Sequence, residues 1–215
     1  MELQAENQVS IKSVQIYPDI NRKKTVVKIR IKNGEKAQQK GSILLCVHKK
    51  GESDTRRSIQ KTELALLPDS VQTAETEINI PEPVALWDDF NPVLYELEAV
   101  LKVEGKEVDK KTTTFGMRAL THDKQFILNG QPVFLRGTLD CGQFPLKADP
   151  AMDKESWLEI YRVYRQYGLN HVRFHTWCPP EAAFEAADEA GVIIQIETAS
   201  PPYTELPDIL DYFGN

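Results

Sequence analysis

Cysteine is scarce in this 215-residue chain: Cys46, Cys141 and Cys178 are all there is. Three is too few, and the wrong parity, for a disulfide scaffold, and no CxxC or HExxH spacing supplies metal ligands, so neither a metal nor another cofactor is expected. Long apolar runs are missing too. None approaches the roughly 18 residues of a membrane span. The opening MELQAENQVS lacks the basic-then-apolar order of a signal peptide. The sequence as it stands is therefore expected to be soluble, with no membrane partner. Basic charge is not in excess, because 26 Lys+Arg face 32 Asp+Glu for a net charge of −6. Without a basic stripe to track a phosphate backbone, nucleic acid is not an expected partner. None of these absences assigns a compartment.

What is present divides into two textures. Residues 1–118 hold 19 basic and 18 acidic residues, whereas residues 119–215 hold 7 and 14. The first part reads as strands almost throughout, in runs such as TVVKIRI (25–31), SILLCVH (42–48) and VLYELEAVLKV (93–103). In the last run Val93, Tyr95, Leu97, Ala99, Leu101 and Val103 alternate with Glu96, Glu98 and Lys102, which makes one face core and the other wet. Turn signals at Asn33-Gly34, Lys50-Gly51 and Glu104-Gly105 space about seven strands, as an antiparallel sandwich requires. Trp87 lies in PEPVALWDDFNPVLYEL, where Pro81, Pro83 and Pro92 argue for a long connection leading into a strand.

After Phe115-Gly116 the pattern alternates. FILNGQPVFLRG predicts a hairpin turning at Asn129-Gly130 and running on into LRGTLD. Asp153 suits the N-cap of a helix from about Lys154 to Tyr167, stopped by Gly168, with Tyr161, Tyr164 and Tyr167 at helical spacing as core packing. NHVRFHTW follows as a strand, then a helix EAAFEAADEA opened by Pro179-Pro180 and stopped by Gly191, then the strand VIIQIET. Strands alternating with helices imply parallel βαβ units.

Side-chain parity sorts the polar groups of these strands. Arg136, Thr138 and Asp140 share one face of the first; His171, Arg173 and His175 share one face of the second; Gln195 and Glu197 share one face of the third. A doubly wound sheet buries apolar residues on both faces, so one-sided polarity favours a barrel with a polar interior near its C-terminal rim.

These residues carry a resemblance. FGMRALTHDKQFILNGQPVFLRG resembles the join between the immunoglobulin-like domain and the barrel of glycoside hydrolase family 2, which includes β-galactosidases and β-glucuronidases. LNHVRFHTWCPPEAAFEAADEAGVIIQIET is similar to that family's second barrel strand, second helix and third strand, with its Asn-x-x-Arg and its strand ending in Glu. ALWDDFNPVLYEL resembles the segment before the last strands of the family's sandwich. The resemblance implies a multidomain β plus α/β protein: an immunoglobulin-like β-sandwich over 1–118, then over 119–215 the first three βα units of an incomplete TIM barrel. It also implies a glycosidase acting on a carbohydrate substrate.

The family's acid/base and nucleophile are glutamates on its fourth and seventh barrel strands. Only three parallel strands are counted before Asn215, so both are expected beyond this chain, which would be a fragment inactive alone. By the same resemblance Arg173 holds the nucleophilic glutamate, and in its absence is expected either to face solvent through the open side or to borrow Asp140 or Glu197. Leu139-Asp140-Cys141-Gly142 stands where the family has an Asn-Arg-His-Glu-like tetrad, and Thr176, not His175, falls at the usual rim histidine. The expected pocket or supporting residues are Asp140, Arg173, His175, Trp177 and Glu197, with Trp177 either stacking on a sugar or packing under a loop. The three-stranded α/β part would leave an edge open, so the chain is expected either to self-associate or to keep its last segment disordered. Two other readings are a non-catalytic carbohydrate-binding or interaction module, and a small hydrolase using His175 and Cys178, the thiol activated by a helix N-terminus.

Overall fold

The computed structural model describes residues 7–52, 56–144 and 148–197, and the expectation for the last segment lies outside the described residues. They fall into two compact units, Met1–Leu86 with Val93–Ala119, and Trp87–Pro92 with Leu120–Asn215.

The first unit is a β-sandwich of seven strands: β1 (Val9–Asp19), β2 (Lys24–Asn33), β3 (Gln39–Lys49), β4 (Arg57–Leu66), β5 (Ser70–Asn79), β6 (Leu94–Val103) and β7 (Lys106–Gly116). One sheet runs β1-β2-β5 and the other β4-β3-β6-β7, all pairs antiparallel. Alternation sets the layers, because Val27, Ile29 and Ile31 of β2 meet Ile43, Leu45 and Val47 of β3 and Tyr95, Leu97 and Leu101 of β6 in one buried core. Each such side chain contributes about 1.5–3 kcal/mol on burial.

The edges of this sandwich are closed by side chains. At the irregularity between Ile11 and Ser13 the Ile11 amide donates to Asp109 Oδ2 at 2.7 Å, and Lys111 Nζ donates to the Lys12 carbonyl at 2.9 Å. On the opposite edge Gln72 Nε2 donates to the Ala65 carbonyl at 2.9 Å. Bulges and side chains that occupy edge groups blunt strand addition.

The second unit starts with a small sheet, β10-β9-β8, of β8 (Leu120–His122), β9 (Phe126–Leu128) and β10 (Gln131–Pro132), turning at Asn129 and Gly130, both at positive φ. A parallel sheet follows in the order β11-β12-β13, from β11 (Gly137–Asp140), β12 (His171–Phe174) and β13 (Ile193–Ile196). Helix α1 (Lys154–Gln166) is N-capped by Asp153, whose side chain accepts from the Ser156 amide. Helix α2 (Glu181–Ala190) ends at Gly191 with φ 70°. Both pack on the face of the sheet that carries Val172, Phe174, Ile194 and Ile196. Tyr161 is wholly buried there and Tyr164 half-buried. Tyr167, expected in the core, is 81% exposed. It is the helix C-cap, where the 100° step of the helix no longer holds. Among the described residues no helix is long and apolar enough to cross a membrane.

Candidate functional site

The face of the parallel sheet away from the helices carries the ionisable groups. Register decides which. Paired residues of adjacent strands point the same way, and β12 pairs Arg173 with Leu139 on one side and Gln195 on the other. His171 pairs with Gly137 and Ile193. A Cβ at position 137 would lie 2.3 Å from His171 Nδ1, so the imidazole takes the space that glycine leaves free. Burial pushes the His171 pKa down, offset in part by a hydrogen bond with Gln195.

Toward the C-terminal ends of the strands the same face brings three of the expected residues together. Arg173 Nη2 lies 2.8 Å from Glu197 Oε2, and His175 Nε2 lies 3.9 Å from the same oxygen. Glu197 Oε2 is buried, yet among the described residues no group donates to it with hydrogen-bond geometry, so the arginine contact is a close ion pair that leaves acceptor capacity. Of the two outcomes expected for Arg173, solvent or a borrowed carboxylate, it shows some of each: it pairs with Glu197 while 43% of its side chain stays exposed.

Asp140 is a correction. It pairs with Phe174, which places it on the helix-packed face, opposite Arg173 and Glu197. There its Oδ1 accepts from the Gly142 amide at 2.8 Å, and its charge helps to push the Tyr161 and Tyr164 hydroxyl pKa values up, after burial itself. Asp140 and Glu197 therefore cannot act as a carboxylate pair across one site. Trp177 also lies with the helix side: its ring packs edge-on to Phe174 at 5.2 Å and Phe144 at 5.9 Å, and Nε1 donates to the Asp140 carbonyl at 3.2 Å. Of its two expected roles the geometry supports packing.

Cys178 does not have the setting of a nucleophile. Burial pushes its thiol pKa up, and its Sγ contacts the Pro179 carbonyl at 3.6 Å. The helix N-terminus expected to lower that pKa starts two residues beyond Pro179, with Pro180 as cap.

The sequence reading noted Asn170 only as part of the Asn-x-x-Arg pattern and missed Asp89, and both are buried. Asn170, just before β12, is wholly buried; its Oδ1 accepts from the Arg136 amide at 2.8 Å and its Nδ2 donates to Asp89 Oδ2 at 2.8 Å. Asp89 comes from the proline-bounded segment Trp87–Pro92, where WDDFNP reads only as a connection. The Asn-x-x-Arg pattern was the one available signal, and it does not name the partner of Asn170.

The model of the glycosyl hydrolases family 2 matches residues 9–118, more than half of the chain. The chain belongs to glycosyl hydrolases family 2. A β-galactosidase of Thermoanaerobacter pseudethanolicus is 26% identical to it over 120 residues, which is 55% of this chain and 16% of that protein. Among solved structures, a glycosyl hydrolase family 2 member from Bacteroides cellulosilyticus superposes with a TM-score of 0.78 at 21% identity, covering 91% of this chain and 25% of that one. A family 2 β-galacturonidase from Eisenbergiella tayi, solved with galacturonate, gives a TM-score of 0.75 at 19% identity over 90% of this chain and 34% of that one. The chain thus spans a minor part of the length of these relatives.

Proposed function

We propose that this chain is a part of a family 2 glycosidase of the β-galactosidase or β-glucuronidase type: an immunoglobulin-like sandwich followed by the first three βα units of a (β/α)8 barrel. The far face of the β11-β12-β13 sheet is then the barrel interior, and its C-terminal rim borders the sugar pocket, as active sites of such barrels do. One observation carries the reading, the Arg173–Glu197 ion pair at the C-terminal ends of adjacent parallel strands, on the face opposite the helices. Arg173 offers a charged fork that holds a carboxylate ionised and aimed. In the whole enzyme the carboxylate that Arg173 holds is the nucleophilic glutamate of a double displacement, a residue other than Glu197, and a second glutamate is the acid/base. Retaining hydrolysis requires the two carboxyls about 5–5.5 Å apart. Asp140 and Glu197, on opposite faces, do not supply that pair, so the chain alone is inactive.

Incubation of the 215-residue chain with nitrophenyl β-galactoside, β-glucuronide and β-galacturonide tests this. No release of nitrophenol above background is expected. Turnover that disappears in a Glu197→Gln variant would make Glu197 a catalyst and overturn the reading. We further propose that the outer edge of β13, the end of its sheet among the described residues, pairs with a second copy. Light scattering should give more than one chain per particle; a strict monomer contradicts it.

A further inference from the structure

The Arg173–Glu197 pair stands on strands whose register is fixed at their other end. Asn170 is the node. Its amide donates to the Arg136 carbonyl at 3.0 Å and its carbonyl accepts from the Ile193 amide at 2.8 Å. Its side chain accepts from the Arg136 amide and donates to the Phe134 carbonyl at 3.2 Å and to Asp89 Oδ2 at 2.8 Å. One buried residue thus ties together, through its side chain and its backbone, the lead-in to β11, the start of β12 and the start of β13. The amide orientation follows from chemistry, since a carboxylate can only accept and a backbone N–H can only donate.

Asp89 holds the free end of that side chain from 81 positions upstream. Its carboxylate is nearly buried and lies 3.8 Å from a guanidinium nitrogen of both Arg136 and Arg165. The segment that carries it is locked in place. Asp88 Oδ1 accepts from the Phe90 amide at 2.8 Å and the Asn91 amide at 2.7 Å, closing a tight turn that aims Asp89 inward. Trp87 Nε1 donates at 2.7 Å to the carbonyl of Asp188, in the last turn of α2. Asn129 Nδ2 donates to the Trp87 carbonyl at 2.9 Å, and Arg165 donates to the Asp89 carbonyl.

We propose that Asp89 is a positioning residue for Arg173, acting through Asn170 on the register of β11, β12 and β13 and so on the approach of Arg173 to Glu197. The two residues are three positions apart, Asn170 just before β12 and Arg173 near its end. A slip of one residue would turn Arg173 to the helix face. A buried carboxylate hydrogen-bonded to a buried amide resists such a slip because neither group finds water when the contact opens. The meaning of Arg173 for catalysis rests on the reading given above; its positioning does not, because Arg173 itself can be observed.

The test uses nitrogen-15 labelled chain and the guanidinium signals of Arg173, identified by their loss in Arg173→Lys. Ion pairing with Glu197 should slow exchange of the wild-type signals with water. Asp89→Leu, of similar volume and without an acceptor, should lose that protection. Asp89→Asn, whose amide oxygen can still accept from Asn170, should retain it although the negative charge is gone. Protection that survives in folded Asp89→Leu overturns the proposal, as does its loss in folded Asp89→Asn. Should the leucine variant fail to fold, the asparagine variant decides alone. Failure of the glycosidase reading would show instead as absent turnover in the longer enzyme with these signals intact.

Discussion

Side chains alternate along any strand, but which residues meet across strands depends on register, and the register seen here needs the missing Cβ of Gly137. His171 sits against Gly137, so Leu139 comes beside Arg173 and Asp140 is turned to the helices. Parity within β11 was legible in the sequence; the pairing of a four-residue strand with its neighbour was not, because GTLD and HVRF can be aligned one residue apart without breaking either alternation. The consequence for the helix side is measurable at high pH. Burial, with Asp140 nearby, pushes Tyr164 up to about 12 and Tyr161 higher still. Since the folded values lie above the unfolded ones, near 10, the unfolded chain loses its phenolic protons first. Both tyrosines thus contribute stability that is complete below pH 10 and lost as pH rises toward 12. Denaturant melts of the second unit at pH 8, 10 and 11 should show a steep fall that Tyr161→Phe lessens. The same variant at pH 8 should be neutral or slightly stabilising, within about 1 kcal/mol, because the Tyr161 hydroxyl is buried with no partner among the described residues. A pH-independent stability, or a loss of several kcal/mol in Tyr161→Phe, contradicts this.

The long strands of the sandwich were legible because ten or eleven alternating residues leave little choice of face, as in β2 and β6. Both helices announced themselves through Asp153 and through the two glycines that follow them. The segment Trp87–Pro92 did not. Flanked by prolines and bearing two aspartates, it has the composition of a solvated loop, and only the depth of Trp87 and Asp89 in the second unit shows otherwise. Gly191 reports on that depth. It ends α2 at φ 70°, and a Cβ there would lie 2.6 Å from the Asp89 carbonyl oxygen. Gly191→Ala should therefore cost more than the roughly 1 kcal/mol of the left-handed conformation alone. Gly168→Ala is the matched control, with φ 75° and open space around its Cβ position. Equal losses of stability in the two variants, read from chemical denaturation, would remove the close approach of Asp89 from the account.

Over the whole molecule, a β-sandwich and a parallel βαβαβ unit stand together in a chain of glycosyl hydrolases family 2, and the chemistry proposed for it gathers on one face of one small sheet. That face carries Arg173, Glu197 and His175; the opposite one carries Asp140 and Trp177 among aromatic side chains. The division makes unequal demands on two variants of an enzyme that contains this sequence. Removing an arginine that aims a nucleophilic carboxylate costs on the order of 100-fold or more in kcat. Removing a carboxylate that serves the helix side costs stability without touching the reacting atoms. The decisive measurement is kcat for a nitrophenyl β-glycoside that this longer enzyme cleaves, determined for Arg173→Ala and Asp140→Ala below their melting temperatures. The account predicts a loss of at least about 100-fold in Arg173→Ala and less than about fivefold in Asp140→Ala; a normal kcat in Arg173→Ala, or the larger loss in Asp140→Ala, would contradict it.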